Sequence, residues 1–285
     1  MKHLSVRSYA KINISLAVKG KREDGYHELD SIMLPLELHD SLLISVLKNA
    51  TDNFVTVDDF STGNIKYNLA TFAIDKLASV YHFNQKFRIF IHKVIPIQAG
   101  LGGGSSNAAF TMLAVNKMLK LNISNEEMIN IGKELGADIP FFINCVPQRA
   151  KGIGEILSPI NVKNNYYCII VKPHEGLSTA DVFAKADSMN LVVKDIDVVQ
   201  KALEEGDDDL LAQSLFNSLE APAISILPEI QTIKDELKSL GIKICQMSGS
   251  GSSVFGLSQN KKLINKVRDL LEDKYIVEVT KIKKN

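Results

Sequence analysis

The sequence predicts a mixed α/β fold, because segments with strand alternation and segments with helical spacing follow one another along its 285 residues. Residues 3–18 alternate well enough to indicate a strand. Residues 68–81 instead place Leu69, Phe72 and Leu77 on one side of a helix. Both patterns recur up to the last residues, so the expected fold class is α/β.

The elements can be placed in order from these patterns and from turn residues. Asp24-Gly25 marks a turn after the first strand. Ser124 and Glu127 have the spacing of a capping box, and Gly136 is a typical helix stop, which leaves Asp138 in the loop after this helix. The other predicted elements are strand-like runs at 32–34 and 42–47, a strand at 87–94, a helix from Ser105, a glycine turn at 152–155, a strand at 166–171, helices near 210–219 and 228–240, a strand at 244–247, a helix at 261–271 and a strand at 275–282.

Composition limits the class of protein and partner. Hydrophobic residues make up 45% and charged residues 23%, as in globular proteins. The 33 basic residues balance the 33 acidic ones, so we expect neither a nucleic acid nor a membrane as partner. Three widely spaced cysteines and the lack of an apolar run of about 18 residues predict a protein of the reducing cytoplasm.

The segment 96–109 is the most informative part of the chain. It holds four glycines in five positions, followed by Ser105 and Ser106 and then a helical pattern. A backbone without side chains followed by a helix start suits a phosphate chain. A Walker A loop would need a lysine after the glycines, and a dinucleotide fingerprint would need a glycine at position 105 or 107. The sequence therefore predicts a phosphate loop of another kind.

Lys11 and Asp138 indicate a function only in combination with this glycine segment. In the first strand, Lys11 and Asn13 share one face, and Ile12 lies on the other. Taken alone, a strand lysine is commonly solvated, and Asp138 before Pro140 is commonly a turn or cap residue.

The order of the motifs resembles the GHMP kinases, which phosphorylate galactose, homoserine, mevalonate and related alcohols. The three motifs of that family are matched by Ala10-Lys11-Ile12-Asn13, by residues 96–109 and by residues 247–255. Further marks are Asp24-Gly25-Tyr26-His27 and Gly136-Ala137-Asp138-Ile139-Pro140. The resemblance covers nearly the full chain in order.

The resemblance implies a two-domain GHMP kinase fold with the active site in the cleft between the domains. Because the strand–helix pattern restarts near residue 160, we expect an ATP-binding domain at 1–158 and a C-terminal domain at 159–285. The resemblance also implies ATP-dependent phosphorylation of the 2-hydroxyl of 4-diphosphocytidyl-2-C-methyl-D-erythritol in the non-mevalonate isoprenoid pathway, with Mg²⁺ as cofactor. Monomer and homodimer both stay open, and so do the protein ligands of Mg²⁺.

Site residues follow from the matched motifs. Asp138 would accept the proton of the attacking hydroxyl, and Lys11 would keep that carboxylate ionised and stabilise developing charge. The residues implied for the substrate are Asn13, Tyr26, His27 and Thr179, with the loop at 248–253 closing the site near the substrate phosphates. The residues implied for ATP are Asn68, Leu69, Lys93, Pro96, Ile97, Gln98, Ala99, Gly100, Leu101, Gly102, Gly103, Gly104, Ser105 and Ser106.

Two places depart from the family pattern. Gln98-Ala99 replace part of a commonly glycine-rich stretch, and residues 145–151 replace a stretch of small residues. Two other readings remain. The chain could be a GHMP kinase for mevalonate-type or sugar alcohols, although Asp-Gly-Tyr-His argues for a cytosine-reading aromatic. It could also be a nucleotide-binding module without activity, which the presence of both Lys11 and Asp138 argues against.

Overall fold

The computed structural model describes residues 2–58 and 68–284. These residues form two compact units, each built from separate stretches of chain. The first unit comprises the described residues within 1–10, 39–96 and 102–145, and the second those within 11–38, 97–101 and 146–285. The consecutive domains expected from the sequence stay a prediction.

Strands and helices are mixed along the chain, which confirms the α/β class. The strands are β1 (His3–Lys21), β2 (His27–Leu47), β3 (Phe54–Val57), β4 (Lys86–His92), β5 (Gln148–Gly152), β6 (Ile156–Pro159), β7 (Tyr167–Lys172), β8 (Ile244–Met247), β9 (Val254–Ser258) and β10 (Ile276–Lys281). The helices are α1 (Leu69–Tyr81), α2 (Gly103–Leu119), α3 (Asn125–Gly132), α4 (Ile139–Asn144), α5 (Thr179–Asp187), α6 (Asp197–Glu205), α7 (Asp208–Ser214), α8 (Glu220–Ile226), α9 (Glu229–Ser239) and α10 (Lys261–Leu271). Among the described residues, no helix is long and apolar enough to cross a membrane.

In the first unit, helices pack beside a short sheet. β4 pairs antiparallel with the end of β2 and parallel with β3. Alternating side chains of β4 such as Phe87 and Ile89 are buried, because a strand presents every second residue to the core. α1 begins with a capping box in which Asn68 accepts from the first turn, and its buried face includes Ile74 and Leu77. α1 and α2 pack against each other, which holds the start of α2 in a fixed place.

In the second unit, an antiparallel sheet of order β10-β7-β9-β8 carries helices α9 and α10. Their buried apolar residues form one core with the middle of β1, including Leu16 and Val18. The start of β2 also pairs with β5, which in turn pairs with β6. Because β8 and β9 are neighbours, the loop 248–253 is the turn of a hairpin within this sheet.

Several element predictions are confirmed and several are wrong. β8 and α10 have the bounds expected from the sequence. α2 begins at Gly103, earlier than Ser105, because Gly102 takes a left-handed conformation and its carbonyl accepts from the Ser106 amide. The expected stop at Gly136 is also wrong, because α3 ends at Gly132, whose carbonyl accepts from the amides of both Leu135 and Gly136 in a turn.

The region after β7 holds more helices than expected. α5 and α6 were not predicted, and the single helix expected near 210–219 is replaced by α7 and α8. These helices bury only a few apolar residues each, such as Val182 and Ala186 in α5. Because so narrow an apolar stripe gives little periodic signal, packing on the rest of the unit decides the formation of α5. α6 does have helical spacing of buried apolar residues, at Val199, Ala202 and Leu203, and the sequence prediction missed it.

A buried ion pair anchors the segment that departs from the family pattern. Asp30, on β2, accepts two hydrogen bonds of 2.8 Å from the Arg149 guanidinium and pairs with Lys19 at 2.9 Å. Burial alone would raise the pKa of Asp30, but the hydrogen bonds from Arg149 and Lys19 outweigh it and lower that pKa.

We expect Arg149→Met to reduce the free energy of unfolding by about 3 kcal/mol at pH 7, since it removes one partner of a buried carboxylate. A lowered folded-state pKa gives stability that is present above the unfolded value near 3.9 and lost as pH falls through the folded value. The difference in the free energy of unfolding between wild type and Arg149→Met should therefore shrink below about pH 4. Urea unfolding at pH 7 and pH 3.5 measures it, with exposed Lys151→Met as control, and equal stabilities at pH 7 would contradict the assignment.

Candidate active site

The start of α2 has the open backbone N–H groups that an anion can bind. Among the described residues no side chain caps this helix, whose first turn contains Gly103, Gly104 and Ser105. The first N–H groups of a helix have no partner within it, and they lie at the positive end of its dipole. The 17-residue helix therefore presents open amides and little steric bulk to a bound phosphate group.

The two serines of this turn differ. The Ser106 hydroxyl is fully buried, donates to the Tyr9 carbonyl at 2.6 Å and accepts from the Ser8 hydroxyl at 2.7 Å. Ser105 is only half-buried, and a β-carbon at Gly136 would lie 3.9 Å from its Oγ. The hydroxyl of Ser106 thus serves the fold of the first unit, whereas that of Ser105 lies beside the segment leading to Asp138.

Lys93 lies next to the same turn but is held by a carboxylate. Its Nζ pairs with Asp40 at 2.9 Å and donates to the Ile95 carbonyl, and a β-carbon at Gly103 would lie 3.3 Å away. Burial lowers the pKa of Lys93, and Asp40 partly offsets this. Asp40 also accepts from the backbone N–H groups of Val94 and Ile95, both at 2.8 Å. This pair fixes the chain that enters the glycine loop.

Asn68 and Leu69, two of the residues implied for ATP, lie at the start of α1. Asn68 is the N-cap of that helix and its Oδ1 accepts from the Ala70 amide at 2.9 Å. Asn68 and Leu69 are both half-buried. The Asn68 side chain therefore has a capping role, whatever ligand lies beside it.

Asp138 lies in the connection after α3, as expected from the sequence. It is also the N-cap residue of the short helix α4, which the sequence did not predict. Its backbone is already helical, and its side chain does not cap α4. Ile139 and Pro140 follow as fully buried residues, so a half-buried carboxylate is carried on a rigid helix start.

Lys11 and Asn13 are buried in the second unit, against the common expectation for a strand lysine. Lys11 is 3% exposed, its Nζ donates to Asn13 Oδ1, and its backbone N–H donates to the Leu101 carbonyl at 3.0 Å. Asn13 Nδ2 donates to Ser31 Oγ at 2.8 Å. β1 is thus buried on both faces here, and the lysine is held by polar groups.

The two glycine-rich segments of the second unit interlock. Ser248 Oγ donates to the Gly100 carbonyl at 3.0 Å and accepts from the Asn13 amide at 3.2 Å. A β-carbon at Gly100 would lie 2.0 Å from the Ser248 carbonyl oxygen. The Ser252 amide also donates to the Gln98 carbonyl at 3.4 Å. Residues 97–101 and 248–252 therefore form one packed structure.

Gln98 takes a backbone conformation that favours glycine. Its φ is 50°, in the left-handed region, which fits the glycine-rich pattern of the family at this point. Its side chain lies against Gly176, where a β-carbon would come within 2.5 Å of the Gln98 Oε1. Gln98 is accommodated at this point of the glycine-rich pattern because residue 176 has no side chain.

Two further residues support the late loop: Asn217, which carried no sequence signal, and Thr179, which the family resemblance implied for the substrate. Asn217 donates to the carbonyls of Met247 at 3.0 Å and Gly249 at 2.8 Å. Thr179 and Ser250 share a hydroxyl–hydroxyl hydrogen bond of 2.9 Å.

The buried Asp40 of the first unit was missed in the sequence. Its inward position on an alternating strand is a signal by which it could have been found.

Tyr26 and His27 follow the turn between β1 and β2. Tyr26 is 59% exposed, and its backbone N–H donates to the Asp24 carboxylate at 3.1 Å. His27 is mostly buried; its Nε2 lies 2.6 Å from Asp187 Oδ1, and its ring stacks on Phe183 with centroids 4.7 Å apart. Helix α5 thus holds the histidine.

The predicted site residues divide between the units. Within the first unit Lys93 lies beside Gly103, and within the second Lys11 contacts Asn13 and Leu101. The first unit holds Asn68, Leu69, Lys93, Pro96, Gly102, Gly103, Gly104, Ser105, Ser106 and Asp138, and the second holds Lys11, Asn13, Tyr26, His27, Ile97, Gln98, Ala99, Gly100, Leu101 and Thr179.

Comparison with known proteins decides the family. The family model described as GHMP kinases N terminal domain matches residues 68–145, and that described as GHMP kinases C terminal matches residues 199–277. A kinase from Acetivibrio thermocellus, named 4-diphosphocytidyl-2-C-methyl-D-erythritol kinase, is 38% identical over 267 residues, covering 92% of each chain. The chain belongs to the GHMP kinase family. The resemblance and the two-domain GHMP fold expected from the motifs are confirmed.

Other relatives of this GHMP kinase agree. A kinase of the same name from Bacillus cytotoxicus is 35% identical over 278 residues, 96% of each chain. A crystal structure of 4-(cytidine 5'-diphospho)-2C-methyl-D-erythritol kinase superimposes with a TM-score of 0.82 at 27% identity, covering 99% of this chain and 100% of that one. Homoserine kinase from Cytophaga hutchinsonii, at 17% identity and a TM-score of 0.78, shares the fold.

Proposed function

We propose that this GHMP kinase transfers the γ-phosphoryl group of ATP to the 2-hydroxyl of 4-diphosphocytidyl-2-C-methyl-D-erythritol, giving the 2-phosphate and ADP. The observation that carries phosphoryl transfer is the uncapped, glycine-built start of α2 in a chain that also holds Lys11 and Asp138. The choice of acceptor is supported by the names of the relatives at 35–38% identity and by Tyr26 and His27.

On the nucleotide side, the amides of Gly103, Gly104 and Ser105 bind phosphate oxygens of ATP. Within residues 2–58 and 68–284 there is no group of three His, Cys, Asp or Glu suited to a metal ion. Mg²⁺ commonly binds phosphate oxygens and waters with only one or two protein ligands, so the oxygens of ATP would be its main ligands. The Ser105 hydroxyl offers one oxygen, and Mg²⁺ neutralises charge on the phosphates when bound.

At the reacting centre, the 2-hydroxyl oxygen forms a bond to the γ-phosphorus as the bond from that phosphorus to the ADP oxygen breaks. Asp138 accepts the hydroxyl proton. Lys11, whose ammonium is buried and held by Asn13, stabilises negative charge as it develops.

On the acceptor side, the late loop offers further anion donors. In the described chain, the N–H groups of Gly249 and Ser250 donate to no backbone or side-chain acceptor. Asn217 and Ser248 hold this loop, so its amides are preorganised for a diphosphate. Tyr26 stacks on the cytosine ring and His27 binds its edge.

The remaining assignments belong to the same proposal. Balanced charge and three widely spaced, buried cysteines support a cytoplasmic enzyme. The family-model matches at 68–145 and 199–277 support an N-terminal domain at 1–158 and a C-terminal domain at 159–285.

A substrate panel tests the function. We expect ATP-dependent turnover of the cytidylyl substrate, with a new phosphate-monoester signal in the phosphorus NMR spectrum of the product. Mevalonate, homoserine and galactose should be phosphorylated at least about 100-fold more slowly in kcat/KM, because they lack the cytidine group that contributes binding energy. Turnover of one of those alcohols without turnover of the cytidylyl substrate would refute the proposal, and ATP binding without any turnover would favour a binding module.

A further inference from the structure

The hydrogen bond of His27 to helix α5 determines what its ring can offer a ligand. Nε2 of His27 lies 2.6 Å from Asp187 Oδ1, and the other carboxylate oxygen pairs with Lys21 at 2.5 Å. Phe183, one helical turn before Asp187, packs on the ring face. The stacking contact with Phe183 therefore restrains the imidazole at its face, and the hydrogen bond to Asp187 restrains it at its edge.

The carboxylate also determines which ring nitrogen carries the proton. Hydrogen bonds from Lys21 and His27 lower the pKa of Asp187, so this group is ionised at neutral pH. An ionised carboxylate only accepts hydrogen bonds, so Nε2 of His27 must be the protonated nitrogen. Nδ1, which has no hydrogen-bond partner in the described part of the chain, is then a lone-pair acceptor in the neutral ring.

We propose that Asp187 is a positioning residue that selects cytosine over uracil by holding His27 in the tautomer with an accepting Nδ1. This inference rests on the proposed function. Cytosine presents an exocyclic amine, which donates, at the position where uracil presents a carbonyl oxygen, which accepts. An accepting Nδ1 of His27 pairs with the cytosine amine and repels the uracil carbonyl. His27 contacts the base, and Asp187 acts through His27.

The matched variants are Asp187→Asn and Asp187→Glu. An asparagine amide can accept from Nε2–H or donate to an unprotonated Nε2, so it no longer fixes the tautomer. We expect wild-type protein to bind CDP more tightly than UDP by about tenfold or more, since one correct base contact typically gives that discrimination. Asp187→Asn should reduce the CDP-to-UDP affinity ratio by about fivefold. Asp187→Glu keeps a carboxylate and should retain most of the ratio.

The measurement is calorimetric binding of CDP and UDP to each full-length protein, together with KM and kcat for the cytidylyl substrate. Asp181→Asn, which removes an exposed carboxylate from the same helix, is the control and should leave the ratio unchanged. A merely structural Asp187 would alter melting temperature or kcat without changing the ratio. An unchanged ratio in a folded Asp187→Asn protein would overturn the inference.

A second measurement needs no variant of Asp187. Nitrogen NMR of the wild-type imidazoles, with His27 assigned by its absence in His27→Gln, should show a protonated Nε2 and an unprotonated Nδ1. The opposite tautomer would overturn the inference. Wild-type protein that prefers CDP but does not phosphorylate the cytidylyl substrate would refute the proposed function while sustaining the role of Asp187.

Discussion

Replacing Asp138 with asparagine should reduce kcat by about 10²–10⁴-fold, the contribution expected of a general base in proton transfer. Asparagine has nearly the same shape but cannot accept the proton of the attacking hydroxyl. KM for ATP should change little, because the amides that we propose bind the phosphates belong to α2. Steady-state kinetics with the cytidylyl substrate measures both parameters.

The structure makes Asp138→Asn a clean test of chemistry. The side chain does not cap α4, and the buried residues that fix this helix are its neighbours Ile139 and Pro140. The melting temperature should therefore stay within about 4 °C of wild type. Glu126→Gln, an exposed change in the first turn of α3, should leave kcat unaltered. Turnover of the Asp138→Asn enzyme within about threefold of wild type would remove the base assignment.

Gly100→Ala should damage both folding and activity. A β-carbon at this position would lie 2.0 Å from the Ser248 carbonyl oxygen, and the residue has a φ of 70°, where a side chain is strained. Because the obstacle is backbone, the 97–101 segment and the late loop would have to separate. We expect a loss of about 3 kcal/mol in the free energy of unfolding and about 100-fold in kcat/KM.

Chemical denaturation and kinetics of the same preparations test this prediction. Gly20→Ala is the matched control, because a β-carbon there meets nothing within 4 Å. It should retain wild-type turnover and stability. If Gly100→Ala were as stable and as active as Gly20→Ala, the close packing of the two glycine-rich segments would not exist in solution.

The sequence could predict elements whose own residues determine them. α10 has a wide apolar face and begins after Asn260, whose side chain caps its first turn, so its bounds were readable. α3 began as expected at the Ser124 capping box. Its end was misplaced because the chain turns after Gly132, where the missing side chain lets Ile139 approach, and such packing leaves no periodic trace in the sequence.

The same distinction applies to the site. The glycines of the proposed phosphate loop could be identified from composition, and Lys11 and Asp138 from their place among matched motifs. Asn217 and Asp187 act through distant partners, across 32 and 160 positions of the chain respectively. A single asparagine or aspartate among many polar residues carries no local sign of such a partner, so only the fold identifies it.

The interlocked glycine-rich segments constrain how this enzyme can be re-engineered. The carbonyls of Gln98 and Gly100 accept hydrogen bonds from Ser252 and Ser248 of the late loop. Gln98 fits only because residue 176 is a glycine. A loop transplanted from a homologue into positions 97–101 would meet the wrong surface. A functional chimera should exchange 97–101, 176 and 248–252 together, as one module assembled from three distant parts of the gene.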